Sequence, residues 1–164
     1  IESKNINAMK ITVLTVGKTS IDYLQKGIDL YMTRLKPYID VEVKIIPEPK
    51  DVRHLPPAQQ AIAEGKLILK HLTVSADTIL LDELGQQPTS TELAALIERK
   101  MVQGLRELTF IIGGPYGVSD EVRRNVRSTI ALSRLTFTHQ MVRLIFFEQL
   151  YRAMTIIRGE PYHH

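Results

Sequence analysis

Five short apolar, β-branched runs alternate along this chain with stretches whose apolar residues recur at helical spacing. That alternation constrains the fold more than any other feature of the sequence. Lys10–Val16 reads as a buried strand ended by Gly17, and Ile21, Leu24, Ile28, Tyr31, Met32 and Leu35 then follow helical spacing until Pro37. Val41–Ile46 alternates as a strand and stops at Pro47 and Pro49. A loop over 47–57 leads to a helix over 58–72, and Thr78–Asp82 is the third strand. Thr89 and Glu92 form a capping box for a helix ending at Gly104. Leu108–Ile112 is a strand running into Gly113-Gly114-Pro115-Tyr116-Gly117, followed by a short helix over 119–126 and a strand over 129–133. The last helix spans 138–158, with Met141, Leu144, Ile145, Leu150, Met154 and Ile157 as its apolar set. The pattern predicts one α/β domain over 9–164, with a mostly parallel sheet and helices on both faces. Residues 1–8, ahead of Met9, read as an expression scar.

Composition narrows the class of function. No apolar run approaches the roughly 20 residues of a membrane span, and no basic-then-apolar signal opens the chain. The absence of cysteine excludes disulfides, thiolate metal sites and a cysteine nucleophile, and the cytoplasm is the expected location. Charge is divided unevenly. From Arg99 onward there are ten basic residues, nine of them Arg, against five acidic; before it, eleven basic residues, nine of them Lys, face thirteen acidic. Guanidinium groups grip phosphate bidentately and stack on bases, so the second half leans toward nucleic acid, with an ordinary charged surface as the alternative.

In open α/β sheets, ligands bind beyond the carboxyl ends of the strands. Three such ends carry suitable residues. Gly113-Gly114 follows a buried strand and lets the backbone approach a ligand closely, although a tight structural turn would use the same residues. Neither a dinucleotide fingerprint nor a Walker sequence occurs. Asp82-Glu83 suits a ribose or a solvated turn, and Ser133-Arg134-Leu135-Thr136-Phe137 suits the wall of a small-ligand pocket. On the last helix His139 and Arg143 share a face, and Glu148 and Arg152 are spaced to pair. No metal-binding motif and no serine-hydrolase elbow is present.

Phe110–Gly117, Ala131–Arg143, Glu148–Ala153 and Arg158-Gly-Glu-Pro-Tyr-His163, taken in order, resemble the ribosomal large subunit methyltransferase H family of the SPOUT superfamily. The opening Met9–Lys18 and the Tyr31, Arg34, Leu35 pattern are similar too, so the resemblance covers Met9 to the end. It implies an α/β knot, with a trefoil knot in the C-terminal part. It implies methyl transfer from S-adenosylmethionine to N3 of a pseudouridine in the helix-69 loop of 23S rRNA on the assembled ribosome. A homodimer, no membrane association and no metal are also implied. Carried over, the donor contacts fall on Leu81, Gly113, Leu132, Ser133, Arg134, Leu135, Thr136 and Phe137. The stretch Asp82–Pro88 lacks the family's Lys, and Thr138 stands where Pro or Thr is usual.

Transfer to a ring nitrogen requires alignment, desolvation and removal of the N3 proton. His139, Arg143, Arg152, Tyr162 and His163 are the catalytic candidates. Arg143 and Arg152 would stabilise phosphate or the ring oxygens O2 and O4, and His139 or His163 would accept the proton. For His139, fixing the start of the last helix is the alternative. Two other readings are a SPOUT enzyme acting on tRNA and a non-catalytic nucleotide- or RNA-binding α/β protein.

Overall fold

A computed structural model describes residues 9–73 and 76–164. Residues 1–8, the expected expression scar, lie outside the described residues. The order is β1 (Lys10–Val16), α1 (Asp22–Leu35), β2 (Asp40–Ile46), a single 3-10 turn (Lys50–Val52), α2 (Pro57–His71) and β3 (Asp77–Gln86). It continues with α3 (Ser90–Val102), β4 (Glu107–Ile112), α4 (Asp120–Asn125), β5 (Ser128–Ile130) and α5 (Met141–Ile157).

The five strands form one sheet in the order β2-β1-β4-β3-β5, and every pairing is parallel. Strand burial follows position. β1 and β4 sit inside the sheet and bury almost every side chain, while β2 at the edge is largely open. One face is covered by α1, α3 and α5, with α5 packed against both others. Phe110 of β4 meets Phe146 of α5 there, ring centroids 4.8 Å apart. On the opposite face, Leu14, Ile111 and Leu80 of the sheet pack with Ile68 of α2 and Val122 of α4. A parallel sheet needs both covers, because its inner strands β1 and β4 are buried on either side, their threonines Thr12, Thr15 and Thr109 included.

Local signals set the helix ends. Pro57 occupies the first turn of α2, and Lys70 and His71 lie in its last turn. Thr89 and Glu92 make the expected reciprocal capping box on α3.

Three boundaries differ from the sequence reading. β3 runs on to Gln86 through an irregularity that sets both Leu81 and Gln86 opposite Ile130. Gly85 permits this crossing, since a Cβ there would lie 2.6 Å from the Ile130 carbonyl carbon. β5 ends at Ile130, short of the expected Ser133, because the chain leaves the sheet once Ala131 N–H has bonded the Gln86 carbonyl. α5 starts at Met141, where Thr138 Oγ1 accepts the Met141 N–H. Its buried residues are Arg143, Phe146, Phe147, Leu150, Ala153, Met154 and Thr155, so of the expected apolar set only Leu150 and Met154 are fully enclosed.

Candidate functional site

The carboxyl ends of β3, β4 and β5 lie side by side and enclose a cleft of about 430 Å³. β3 contributes Leu81, Asp82 and Glu83, and β4 contributes Ile112 and the loop Gly113–Val118. The segment after β5 contributes Ala131, Leu132, Ser133, Leu135, Thr136 and Phe137, and His139 and Val142 close the α5 side. The three strand ends singled out in the sequence thus form one cavity, of a size suited to a small ligand.

The glycine loop is shaped by contact as well as by turn geometry. A Cβ on Gly113 would lie 2.7 Å from Val118 Cγ1, and Gly117 takes φ +79°. Gly117 N–H donates to the Gly114 carbonyl at 3.2 Å, closing the turn. Ser119 then caps α4 by accepting the Val122 N–H. On the far wall, Ser133 Oγ accepts the Leu135 N–H at 2.9 Å, fixing the bend that turns Leu132 and Phe137 toward the cleft. Asp82 is held by Arg123, whose Nε donates to it at 3.0 Å. The sequence reading missed Arg123, since nothing in its short helix distinguishes it from Arg124.

Of the expected donor contacts, all but Arg134 line the cleft; Arg134 is exposed outside it. His139 lines it as well, and burial first, then the Arg143 charge, lower its pKa below the usual histidine value. Both effects favour the neutral imidazole. Arg143 is 2% exposed. Its guanidinium donates to the carbonyls of Gly17 (2.9 Å) and Val16 (2.8 Å) and to Thr19 Oγ1 (3.1 Å). It ties α5 to the end of β1. Gln140, also missed in the sequence, adds to that tie by accepting the backbone N–H groups of Ser20 and Ile21.

The remaining candidates gather elsewhere. Glu148 receives Arg152 Nη2 at 2.6 Å and Tyr162 O–H at 3.1 Å. Arg152 lies over the Tyr162 ring at 4.7 Å and reaches His163 Nδ1 at 3.2 Å. The pairing of Glu148 with Arg152 is as the spacing predicts. Burial and the bonds to Tyr31 and Glu148 push the Tyr162 phenol up to about 12. From Met141 to Arg152 the helix rises about 16 Å. One chain thus holds His139 at the cleft and Arg152, Tyr162 and His163 well along α5 from it. Among the described residues no group of three or more His, Cys, Asp or Glu could hold a metal ion, and no helix is long and apolar enough to cross a membrane.

A parallel sheet covered on both faces, with a glycine-floored cleft at its carboxyl edge, is the frame of an α/β protein that binds a small ligand beyond its strand ends. A family model described as "Predicted SPOUT methyltransferase" matches residues 9–163, and the chain belongs to that family. Within it the chain groups with the ribosomal RNA large subunit methyltransferase H proteins. It is 47% identical over 156 residues to the protein of that name from Parabacteroides distasonis, covering 95% of this chain and 99% of the relative. The relative from Christiangramia forsetii is also 47% identical with the same coverage, and that from Flavobacterium johnsoniae is 46% identical. Among solved structures, a probable methylase family protein from Haemophilus influenzae is similar in fold. It has a TM-score of 0.51 and 12% identity, covering 97% of this chain and 71% of that one.

Proposed function

We propose that this chain, as a single domain over 9–164, transfers a methyl group from S-adenosylmethionine to N3 of a pseudouridine in the helix-69 loop of 23S rRNA. The substrate is the assembled ribosome in the cytoplasm, and the enzyme is a homodimer whose C-terminal part follows the family's trefoil knot. The observation that carries the reading is the convergence of Leu81, Gly113 and five of the six residues Leu132–Phe137 on one cleft.

The residues present fit the methyl donor. Gly113 and Gly114 leave bare backbone in the cleft, Leu81, Ile112, Leu132, Phe137 and Val142 offer apolar surface to a purine, and Glu83 offers a carboxylate to a ribose. The bound donor supplies an electrophilic methyl group on a positively charged sulfur. The chain aligns the acceptor, excludes water and handles the N3 proton. His139, neutral in the cleft, and His163, beside Arg152, are the two nitrogen bases offered for that proton. Arg152 stabilises charge that develops on O2 and O4 as N3 is deprotonated, and Tyr162 and Glu148 hold its guanidinium in place. The bonds of Arg143 support a positioning role, holding His139 and the α5 wall against β1.

Because one chain separates its cleft from its tail cluster, we assign the tail over each cleft to the second copy. The test is methyl transfer to intact ribosomes, free 23S rRNA and tRNA in parallel. Transfer confined to ribosomes, and lost in Arg152→Ala while calorimetric donor binding persists, is the expected result. Methylation of tRNA instead would reassign the substrate, and donor binding without transfer to any RNA would favour a non-catalytic protein.

A further inference from the structure

Glu64 is a buried titratable group with no task in the chemistry above. It lies on α2, is 6% exposed, and its Oε2 is fully enclosed with no hydrogen-bond partner among the described residues. Its helix is held close at that point. A Cβ on the next residue, Gly65, would meet Ser119 Oγ and come within 3.1 Å of Val122 Cγ2 on α4. The carboxyl rests against the glycine loop, and a Cβ on Gly114 would lie 2.6 Å from Oε2 and 2.9 Å from Oε1. Gly114 thus both lines the cleft and touches this carboxyl.

Among the described residues no cation bonds it. Arg143 of α5 directs Nη1 and Nη2 to Val16, Gly17 and Thr19, and its Nε makes no bond to the carboxyl. Arg123 of α4 is engaged with Asp82 and Asp120. The loop from Gly113 to Val118 carries no charge, and burial and Arg143 disfavour the charged form of His139. The charged neighbour acting on Glu64 is Glu48, from the segment after β2, and it has the same sign. Burial and then Glu48 push the Glu64 carboxyl up to about 7. A buried carboxyl beside a like charge is costly to ionise until a positive group arrives.

We propose that Glu64 is the counter-charge of the cleft's ligand, ionising when an organic cation occupies the cleft and so favouring a sulfonium donor over the uncharged thioether left after transfer. This rests on the methyl-donor reading of the cleft. The linkage has a definite sign. A cation stabilises the carboxylate, so binding releases a proton, and donor affinity rises as pH climbs toward and through about 7. After transfer the sulfur is neutral, that stabilisation lapses, and release of the product is eased.

The test is calorimetry of the full chain at about pH 6.5, in two buffers of different ionisation enthalpy, with S-adenosylmethionine and S-adenosylhomocysteine as ligands. The parent should release a proton on binding the donor and less on binding the thioether. Glu64→Gln should abolish that release and weaken donor binding about tenfold, with thioether binding changed less than about threefold. Gln has nearly the shape of the neutral carboxyl, so an unchanged melting curve at acidic pH certifies the fold. Glu48→Gln keeps the carboxyl and should keep the proton release, with its pH midpoint moved down. Donor binding without proton release, or equal loss for both ligands in Glu64→Gln, overturns the counter-charge and leaves the methyl-donor reading standing. Failure of the parent to bind either ligand overturns both.

Discussion

At Gly113 one added carbon separates an open cleft from a filled one. A Cβ there would meet Val118 Cγ1 at 2.7 Å and the Gly117 carbonyl oxygen at 3.2 Å. Overpacking of this kind costs about 1–3 kcal/mol. Directed at the loop, it should lower donor affinity roughly 10- to 100-fold in calorimetry for Gly113→Val. The two displaced tyrosines give a second expectation. Hydrogen bonding to Glu160 pushes Tyr38 up to about 12, and burial with bonding to Tyr31 and Glu148 does the same for Tyr162. A folded-state pKa above the ordinary 10 keeps these phenols protonated after the unfolded chain has ionised. Their stabilising bonds are therefore complete below pH 10 and lost as pH rises toward 12. Ultraviolet titration should show both ionising late, and Tyr162→Phe should remove one late step. For Glu64 the sign gives stability falling between pH 4.5 and 7. The fall is at most about 3 kcal/mol, and Glu64→Gln should flatten it in urea melts. Legibility differed between these residues. Two glycines after a buried strand announce a close approach, so Gly113 was visible in the sequence. A Glu between Ala63 and Gly65 on a helix looks like any solvated carboxylate, and only the tertiary packing of α2 on α4 encloses it.

Elements were legible where local chemistry decides them and less so where a neighbour does. The Thr89 capping box is a local signal, and Thr89→Ala should cost about 1 kcal/mol in a denaturant melt while leaving donor binding unchanged. The lengths of β3 and β5 are set by each other, since their pairing shifts at Ile130, and no periodicity within either run shows this. The buried face of α5 was misread for a related reason. Lying between α1 and α3, this helix is covered on more than one side, so Arg143 and Ala153 are enclosed while Leu144 and Ile145 are only partly so. The tail after Gly159 is held by Tyr162 on Glu148 and by Tyr38 on Glu160. Truncation there should abolish methyl transfer and leave donor binding within about twofold, as transfer assays and calorimetry on one preparation would show.

Across the whole molecule, the sheet order brings three strand ends from separate parts of the sequence to one edge, while α5 carries the tail cluster away from it. If each working site joins one chain's cleft to its partner's tail, two inactive variants should rescue each other. Mixing Gly113→Val with Arg152→Ala chains should restore roughly one quarter of parent activity after random exchange in a two-fold dimer, and no recovery would place both halves on one chain. The Arg143 bridge has a further consequence, in time rather than space. The residues it ties, Val16 to Thr19, are synthesised before Arg143, which follows more than a hundred positions later. Contacts of such long sequence separation form late and slow folding. A nascent chain that has made β1 through β5 still lacks α5, which packs against α1 and α3 on one face of the sheet, and with it one wall of the cleft. The binding site is therefore complete only once α5 has been made, and a chain halted before that helix lacks one wall of its ligand cleft.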